Sequence, residues 1–317
     1  MYVIAGPTAS GKTAVAIALA KKIDGEVISA DSMQVYKHMD IGTAKPTSEE
    51  MDGIPHHLID VVTPDTPFSA ATYQQLATRV IEDIISRGKT PILAGGTGFY
   101  INAVLYDTEF SSVDQDLDME HRKKFADIAT EKGVVFLHGL LAEADPEAAL
   151  AIHPNNVKRV ARALSFCETT GGLFSAHNKT QKARQPRYDT HFAVLTMNRE
   201  VLYDRINRRT DIMLETGFID EVRALLSKGY HEGLAAMQGI GYKEITKLLN
   251  GECSRDEAIE SMKQSTRNYA KRQITWFTHN AANSHKHETD GKTLENLADD
   301  IIIKRGKPWR KTIKTCF

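Results

Sequence analysis

The stretch that decides the fold lies at the start of the chain and reads Tyr2-Val3-Ile4-Ala5-Gly6-Pro7-Thr8-Ala9-Ser10-Gly11-Lys12-Thr13. From Gly6 onward it matches the pattern G-x-x-x-x-G-K-[ST], which is typical of a phosphate-binding loop, or P-loop. A short apolar run, residues 3–5, precedes the loop, and apolar residues at helical spacing follow it over 14–20. This order predicts a strand, a glycine-rich turn and a helix, which is the context that the motif requires.

The residue types of this loop suit the binding of a phosphate chain. Glycines allow backbone N–H groups to curl around phosphate oxygens, and the helix that follows adds the positive end of its dipole. Lys12 supplies a mobile cation, and the Thr13 hydroxyl is a ligand for a Mg²⁺ ion that also contacts the phosphates. The loop therefore predicts a phosphate site with magnesium, without specifying ATP.

Composition places the chain among ordinary globular proteins. Its 317 residues are 41% hydrophobic and 26% charged, and the formal net charge is −1. A nucleic-acid partner would therefore have to be bound by locally gathered basic residues. No apolar run approaches the ~20 residues of a membrane span, and the strand at residue 2 leaves no room for a signal peptide. We expect a cytoplasmic protein without a membrane partner.

Cysteine and histidine usage gives no sign of a structural metal or a disulfide framework. Cys167, Cys253 and Cys316 are far apart and form no C-x-x-C pair, so we expect reduced, structurally ordinary thiols. His56 and His57 fit no metal-ligand spacing, and placement in the core or a loop explains them better.

Buried strands alternate with helices over the first hundred residues. The sequence predicts strands at 26–30, 56–62 and 90–94, with a helix over 69–87 between the last two. This alternation predicts a parallel sheet, and the apolar run 191–196 returns to it as a further strand.

From residue 109 the pattern becomes charged and helical in spacing. We predict a mostly helical insertion over 112–188, within which 134–137 fit a strand and a buried helix equally well. The predicted fold class is therefore α/β. A P-loop NTPase-like parallel-sheet core, 1–111 plus 189–317, carries a helical insertion domain.

Asp31 is the acidic residue that best fits a catalytic role. It follows the second predicted strand, and sites in open α/β sheets lie at the carboxyl ends of strands. A carboxylate there can bind Mg²⁺ or act as a general base. A turn-capping or surface role is the alternative.

The turn Gly95-Gly96-Thr97-Gly98 follows the strand where many P-loop NTPases carry a metal-binding acid. Here glycines replace that acid, which weakens the hypothesis of an ATPase. Glycines allow close approach of a ligand, and Thr97 offers a hydroxyl. A tight strand-to-helix turn explains the same residues.

Three local basic segments favour an RNA-sized anion in this neutral chain. Lys263, Arg267 and Lys271 recur every four residues on one predicted helix face, with Arg272 beside them, and can follow a phosphate backbone. The other segments are Asn155–Arg159 with Arg162, and Lys179–Arg187 with Lys182 and Arg184. A solvated helix face is the alternative for each. Arg205 and Arg209 share a face that could reach phosphates, whereas the spacing of Arg208 and Asp204 predicts an ion pair.

Taken together, the motifs resemble those of one family, the tRNA dimethylallyltransferases, also called tRNA isopentenyltransferases. The matching stretches, in chain order, are Gly6–Thr13, Asp31–Tyr36, Met39–Pro46, Gly95–Tyr100, His153–Leu164, Leu202–Met213, Gly239–Glu244 and Thr266–Phe277. A P-loop alone is unspecific, whereas this ordered set extends over most of the chain and is very specific.

The resemblance implies that a dimethylallyl group moves from dimethylallyl diphosphate to N6 of the adenine 3′-adjacent to the anticodon of tRNA. The P-loop would hold the diphosphate, with Mg²⁺ at Thr13. Asp31 would take the proton of N6, and Thr97 and Arg209 would lie near the reacting groups. The implied partners are the tRNA anticodon stem-loop and dimethylallyl diphosphate, and the protein is expected to be a monomer.

The resemblance also implies a set of tRNA-binding residues on three parts of the chain. They are Asp31, Ser32, Met33, Gln34 and Thr97 around the base, Asn155, Asn156, Val157, Lys158 and Arg159 on one helix, and Lys263, Arg267, Lys271 and Arg272 on another. The sequence departs from the family pattern at Asn156 and Ser165, where acids are more usual, and lacks the zinc extension of some eukaryotic members. It therefore resembles the compact bacterial type.

Three other functions are compatible with parts of the sequence. A P-loop small-molecule kinase would explain Gly6–Thr13 and Asp31 but not the basic helix. An RNA-binding protein with an inactive P-loop conflicts with the intact Lys12 and Thr13. An enzyme that prenylates free adenine nucleotides would need far less basic surface.

Overall fold

The computed structural model describes residues 1–108, 115–182, 185–281 and 284–305, without the side chains of 115–119 and 182. Its chain divides into two units. The first unit comprises 1–105 and 186–317, and the second comprises 106–185. Among the residues named above, Arg184 and Cys316 lie outside the described residues.

The described residues form one six-stranded, fully parallel sheet in the first unit, in the order β3-β2-β4-β1-β5-β6. The strands are β1 (Tyr2–Ala5), β2 (Gly25–Ser29), β3 (His56–His57), β4 (Thr90–Gly95), β5 (His191–Thr196) and β6 (His285–Glu288). The four inner strands are buried along almost their whole length, as expected for a parallel sheet covered on both faces. All six carboxyl ends consequently lie along one edge, where the site forms.

Fourteen α-helices lie in the described part of the chain, nine of them in the first unit. Those nine are α1 (Lys12–Ile23), α2 (Ser48–Met51), α3 (Ala70–Ser86), α4 (Gly98–Leu105), α10 (Arg199–Glu215), α11 (Phe218–Ser227), α12 (Tyr242–Leu249), α13 (Arg255–Asn280) and α14 (Leu294–Lys304). The second unit contains α5 (Gln115–Lys132), α6 (Val134–Ala144), α7 (Pro146–Ala151), α8 (Val157–Thr170) and α9 (Phe174–Lys182). The predicted class, a parallel α/β core with a mostly helical insertion, is confirmed.

The second unit has an apolar core of its own. Phe125, Leu137, Leu141, Val160 and Leu164 are among the buried residues of this core. The ambiguous stretch 134–137 is helical, because it forms the start of α6, and its Leu137 packs in this core. The structure also adds α9, which the polar sequence after Phe174 did not predict.

Two details of the sheet differ from the sequence prediction. The strand expected over 56–62 has only two residues in β3, although an isolated bridge joins Tyr36 to Val62. Strand β6 was not predicted, because only His287 of its four residues is buried. With one buried side chain, and that one a histidine, the strand shows no apolar alternation by which it could be predicted.

Buried histidines lie side by side on β5 and β6. His191 and His287 are 5% and 1% exposed, and their ring centroids are 6.2 Å apart. Among the described residues, neither nitrogen of His287 has a hydrogen-bond partner, and His191 Nε2 has none either. Burial, reinforced by the neighbouring Lys304 for His287 and His285 for His191, lowers the pKa of both histidines to about 4. Both rings are therefore neutral near pH 7.

We expect the protein to lose stability as the pH falls from about 6.5 to about 4. In this range an unfolded histidine is protonated, whereas the two folded ones are not, so the unfolded state binds more protons. Each histidine then destabilises the fold by at most about 3 kcal/mol at pH 4, at 1.36 kcal/mol per pKa unit. Urea unfolding of wild type and His287→Leu at pH 7 and pH 4.5 measures the effect, and the variant should lose less stability between the two pH values.

His279→Leu is the matched control, because His279 is exposed on α13. The titration of Glu26 does not interfere with this comparison. Its hydrogen bond with Arg87 lowers the pKa of Glu26 to about 2, so its contribution to the stability of the fold is lost only below about pH 4.5. An identical pH dependence in wild type and His287→Leu would contradict the assignment.

Candidate active site

The P-loop connects β1 to α1 at the carboxyl edge of the sheet. Gly6 and Gly11 have positive φ angles of 150° and 85°. A Cβ on Gly6 would lie 2.8 Å from the Leu195 carbonyl oxygen on β5, so a side chain there would collide with the neighbouring strand. Gly11 caps α1 in the left-handed conformation and has no side chain to occupy the free N–H groups of the first turn. The turn is thus arranged to bind an anion.

A cavity of about 590 Å³ opens in front of this loop. Its lining combines P-loop residues with basic side chains from α10 and with part of the segment 43–46. The functional groups around it include Lys12, Thr13, Asp31, Gln34, Lys45, Glu50, Arg205, Arg208, Arg209, Tyr269 and Gln273. The prediction that Arg208 pairs with Asp204 is confirmed by an N–O distance of 2.9 Å.

Lys12 and Arg209 place positive charge close to Asp31. The Lys12 Nζ donates a hydrogen bond of 2.7 Å to the Pro7 carbonyl oxygen of its own loop. Burial lowers the pKa of Lys12 to about 8. The negative charge of Asp31 acts in the opposite direction and raises this pKa, whereas the positive charge of Arg209 lowers it further. Burial also lowers the pKa of Arg209, while Asp31 raises it. Two partly desolvated cations beside one carboxylate leave a net positive site for an anionic ligand.

Asp31 forms a turn that leaves part of its carboxylate available. Its Oδ1 accepts hydrogen bonds from the Met33 N–H at 2.8 Å and the Gln34 N–H at 3.4 Å. No described residue donates to Oδ2. The capping role and the catalytic role considered for Asp31 are therefore compatible, because they use different oxygens.

Thr97, which follows β4, is hydrogen-bonded to the residues on either side of Asp31 at the end of β2. Its Oγ1 accepts a hydrogen bond from the Ser32 N–H at 3.1 Å, and its own N–H donates to the Ala30 carbonyl at 3.1 Å. The ends of β2 and β4 are thereby joined. Asp31, Ser32 and Thr97 come together as the sequence analysis expected.

The glycines around Thr97 are required by protein packing. A Cβ on Gly95 would lie 2.1 Å from the Ala30 carbonyl oxygen, and one on Gly98 would lie 2.2 Å from the Trp276 ring. A Cβ on Gly96 would lie 2.2 Å from Gln273 Nε2. The turn is therefore closely covered by Ala30, which follows β2, and by α13, and this favours the tight-turn explanation for its glycines.

Gln273 is a site residue that the sequence analysis missed. It lies on α13 with 5% of its surface exposed. Its Oε1 accepts a hydrogen bond of 2.8 Å from the Thr8 N–H, and its Nε2 donates one of 3.0 Å to the Gly96 carbonyl oxygen. A single glutamine within a basic helix carries no sequence signal for such a role.

A second cavity of about 300 Å³ adjoins the same residues. Asp31, Arg209 and Tyr269 are among the residues that line both cavities. The rest of the second lining is more apolar and includes Met33, Ile206, Met213, Ile240 and Met262. A charged cavity and an apolar one thus meet at Asp31.

Glu221 fixes the segment that borders both cavities. The carboxylate of Glu221 accepts hydrogen bonds from the N–H groups of Asp40, Ile41 and Gly42 at 2.9, 2.7 and 3.2 Å, and from the Tyr242 hydroxyl at 2.7 Å. Such a carboxylate gives the loop a defined shape, since four donors converge on it. This explains the position of the 39–46 motif over the site.

The basic face of α13 is partly neutralised. Lys263 pairs with Asp211 at 2.6 Å, and Arg267 pairs with Glu260 at 2.7 Å; their side chains are only 18% and 16% exposed. Lys271 forms no ion pair with a described residue, and Arg272 lies 5.6 Å from the centre of the Tyr269 ring. Asp211 was not predicted as a partner because it lies on α10, and Glu260 was not because it lies on α13 outside the acid-free stretch 263–272. RNA contact by the four cations stays a prediction.

Residues 155–159 lie in the second unit, where Asn156 caps α8 by accepting a hydrogen bond of 3.3 Å from the Arg159 N–H. Asn155, Lys158 and Arg159 are exposed, whereas Val157 is half-buried. Ser165, the other departure from the family pattern, is completely buried. Asn156 thus has a structural role whether or not it contacts RNA.

The described residues contain no cluster of three metal-ligating side chains. Thr13, Asp31 and Glu50 nevertheless line the same cavity with a hydroxyl and two carboxylates. Oxygen ligands of this kind, completed by phosphate oxygens and water, are what Mg²⁺ prefers. His57 instead contacts Glu26 at 2.8 Å, and the described cysteines 167 and 253 are free.

In the described ranges, no helix combines the length and apolar character that a bilayer crossing demands.

Comparisons with known proteins agree with these observations. The family model described as IPP transferase matches residues 34–280. A tRNA dimethylallyltransferase of Acetivibrio thermocellus is 52% identical over 301 residues, covering 94% of this chain and 96% of the relative. The crystal structure of a tRNA isopentenylpyrophosphate transferase from Staphylococcus epidermidis matches with a TM-score of 0.70 and 46% identity, covering 96% and 97% of the two chains. A eukaryotic dimethylallyltransferase acting on tRNA matches with a TM-score of 0.79 and 32% identity, over 96% and 77%.

Proposed function

Because this chain belongs to the IPP transferase family, we propose that it transfers a dimethylallyl group from dimethylallyl diphosphate to N6 of the adenine 3′-adjacent to the anticodon in tRNA. Diphosphate is the second product. The meeting of a cationic P-loop cavity and an apolar cavity at Asp31 is the observation that supports this most directly. A group transfer needs both substrates at one point, and two cavities that meet at Asp31 would satisfy this requirement.

The P-loop side of the site serves the leaving group. N–H groups of the loop and the cations Lys12 and Arg209 would bind the diphosphate, whose negative charge grows as the C1–O bond of the dimethylallyl group breaks. Stabilising this charge with fixed donors in a partly desolvated site is the main catalytic contribution of such loops. Mg²⁺ bound at Thr13, with the carboxylates nearby, would neutralise further phosphate charge.

The Asp31 side of the site serves the acceptor base. N6 of adenine forms the new bond to C1, and the proton that it loses goes to the Asp31 carboxylate. The base must leave the anticodon stack to reach this position, and the Ser32–Gln34 turn with Thr97 would line its pocket. The Ser32 hydrogen bond to Thr97 holds these parts together.

The partner is the tRNA anticodon stem-loop, bound through exposed basic side chains of α8 and α13. Lys158, Arg159, Lys271 and Arg272 supply them, and phosphate contacts of this kind position the RNA without reading its sequence. We propose that the enzyme acts as a monomer in the cytoplasm, where unmodified tRNA is found.

The direct test is transfer of radiolabelled dimethylallyl diphosphate to an unmodified anticodon stem-loop, with free AMP in a parallel reaction. Mg²⁺-dependent label in the RNA is the expected result. Label in AMP alone would indicate an enzyme that prenylates free nucleotides. No label in either reaction would contradict the proposal and make ATP the next ligand to test.

The structure divides the four cations of α13 into two classes, and this leads to a salt-dependence prediction. Replacing Lys271 and Arg272 together with alanine should weaken RNA binding and reduce the slope of log K against log salt by about 1.5, since each lost phosphate contact removes roughly 0.7 to 0.9. Replacing Lys263 and Arg267 should reduce the slope by less, because Asp211 and Glu260 already neutralise them. Equal reductions in both double variants, measured by fluorescence anisotropy, would refute this division.

A further inference from the structure

We propose that Gln273 is a positioning residue for the phosphate site, which holds the P-loop at a fixed separation from the Thr97 turn. This rests on the proposed function, since the ligand positioned is the diphosphate of the prenyl donor. Gln273 lies on α13, on neither of the two loops that it joins. Because its carboxamide oxygen and nitrogen are bonded to Thr8 and Gly96, it acts on the site through these two residues.

The orientation of the Gln273 carboxamide is determined by its partners. The Thr8 N–H can only donate, so the atom 2.8 Å away must be the carboxamide oxygen. The Gly96 carbonyl can only accept, so the atom 3.0 Å away must be the carboxamide nitrogen. One rigid planar group thus joins a P-loop amide to the turn that precedes Thr97.

The hydrogen bond to Thr8 also determines which P-loop donors serve the ligand. With its N–H committed to Gln273, Thr8 is not one of the backbone donors left for a phosphate oxygen. The Ser10 N–H is also committed, since it donates to the Pro7 carbonyl oxygen at 3.3 Å. The remaining donors, the N–H groups of Ala9, Gly11, Lys12 and Thr13, are oriented by a loop whose first turn is anchored. Without the anchor, the Thr8 N–H and the Gly96 carbonyl would each lack a partner in a closely packed place and would have to move.

Gly96 and Gln273 form a matched pair. A Cβ at position 96 would meet the end of the Gln273 side chain at 2.2 Å, and its next neighbour outside Gln273 would be the Gly6 carbonyl oxygen at an ordinary 3.5 Å. Gly96 has no positive φ angle, so alanine fits its backbone. Gly96→Ala should therefore displace the Gln273 carboxamide while leaving residue 273 unchanged.

Steady-state kinetics and pyrophosphate binding test the proposal with three variants and one control. Gln273→Met keeps the length of the side chain and removes both hydrogen bonds. We expect KM for dimethylallyl diphosphate to rise about tenfold and the Kd of inorganic pyrophosphate with Mg²⁺ to rise similarly, while the Kd for the stem-loop changes less than twofold. Gly96→Ala should give the same pattern, and Gly96→Ala with Gln273→Met should be no worse than Gln273→Met alone.

Gln74→Met is the matched control. Gln74 also donates a hydrogen bond to a backbone carbonyl, that of Ala103 at 2.9 Å, but it lines neither cavity. A merely structural role for Gln273 would lower stability in both variants and leave the two diphosphate constants unchanged.

The outcomes separate this proposal from the proposed function. If wild type labels RNA and Gln273→Met has the same KM and pyrophosphate Kd as Gln74→Met, the positioning role is overturned and the function stands. If wild type labels no RNA but binds pyrophosphate, and Gln273→Met weakens that binding, the function falls and the positioning role stands. Additive effects of the Gly96 and Gln273 changes would also overturn the pairing.

Discussion

Asp31→Asn is expected to lower the rate of prenyl transfer by 10²- to 10⁴-fold, the usual range for a lost general base. Asparagine keeps an oxygen that can accept the hydrogen bonds from the Met33 and Gln34 N–H groups, so the turn should persist. It cannot take the proton that leaves N6. The loss should therefore appear in kcat, with the Kd for the anticodon stem-loop within about threefold of wild type.

Asp220→Asn is the control for this change. Asp220 lies on α11 at the surface and pairs with Arg223, outside both cavities. Single-turnover transfer and equilibrium RNA binding should be measured on both variants. If RNA binding falls by as much as activity in Asp31→Asn, Asp31 shapes the base pocket and another group takes the proton.

Lys12→Met is expected to reduce kcat/KM for dimethylallyl diphosphate by 10²- to 10³-fold, as the removal of one donor to a developing anion does in other enzymes. Methionine keeps most of the aliphatic stem that packs in the P-loop and removes only the charge. The variant should also lose affinity for inorganic pyrophosphate, whereas RNA binding should be retained.

Lys21→Met is the matched control for Lys12→Met, because Lys21 lies near the other end of α1 and pairs with Asp52 on the surface. Equal pyrophosphate affinity in wild type and Lys12→Met would show that Lys12 does not contact the diphosphate. The same measurement on Lys12→Arg distinguishes charge from shape, since the guanidinium keeps the charge but is too broad for the same position.

Much of the fold follows from local sequence patterns. The P-loop, the buried strands β2, β4 and β5 and the long helix α13 all form where apolar spacing and capping residues predict them. At the start of α13, for example, Ser254 and Glu257 have the S-x-x-E spacing of a capping box and form it reciprocally. Strand β6 could not be predicted in the same way, because its partner β5 and its position at the edge of the sheet, rather than its composition, make it a strand.

The candidate site was predictable in part. Lys12, Asp31, Thr97 and Arg209 belong to motifs, and the parallel sheet brings the strand ends that carry two of them together. The partners of polar side chains were not predictable, since they depend on tertiary packing. Asp211 neutralises Lys263 from a separate helix, and Gln273 bonds to Thr8 across the site. The family resemblance identified the chemistry, but it did not reveal these contacts.

The link between Thr8 and Gln273 has a consequence for how the enzyme is made. The two residues are 265 positions apart in the chain. At ribosomal rates of 5–20 residues per second, Gln273 is therefore synthesised roughly 10–50 s after Thr8. Strand β1 also lies between β4 and β5, whose residues are synthesised later. The nascent P-loop therefore leaves the ribosome long before the contacts that shape it exist. A chain released before α13 is complete would carry the whole phosphate-binding motif without the Gln273 hydrogen bond that anchors it.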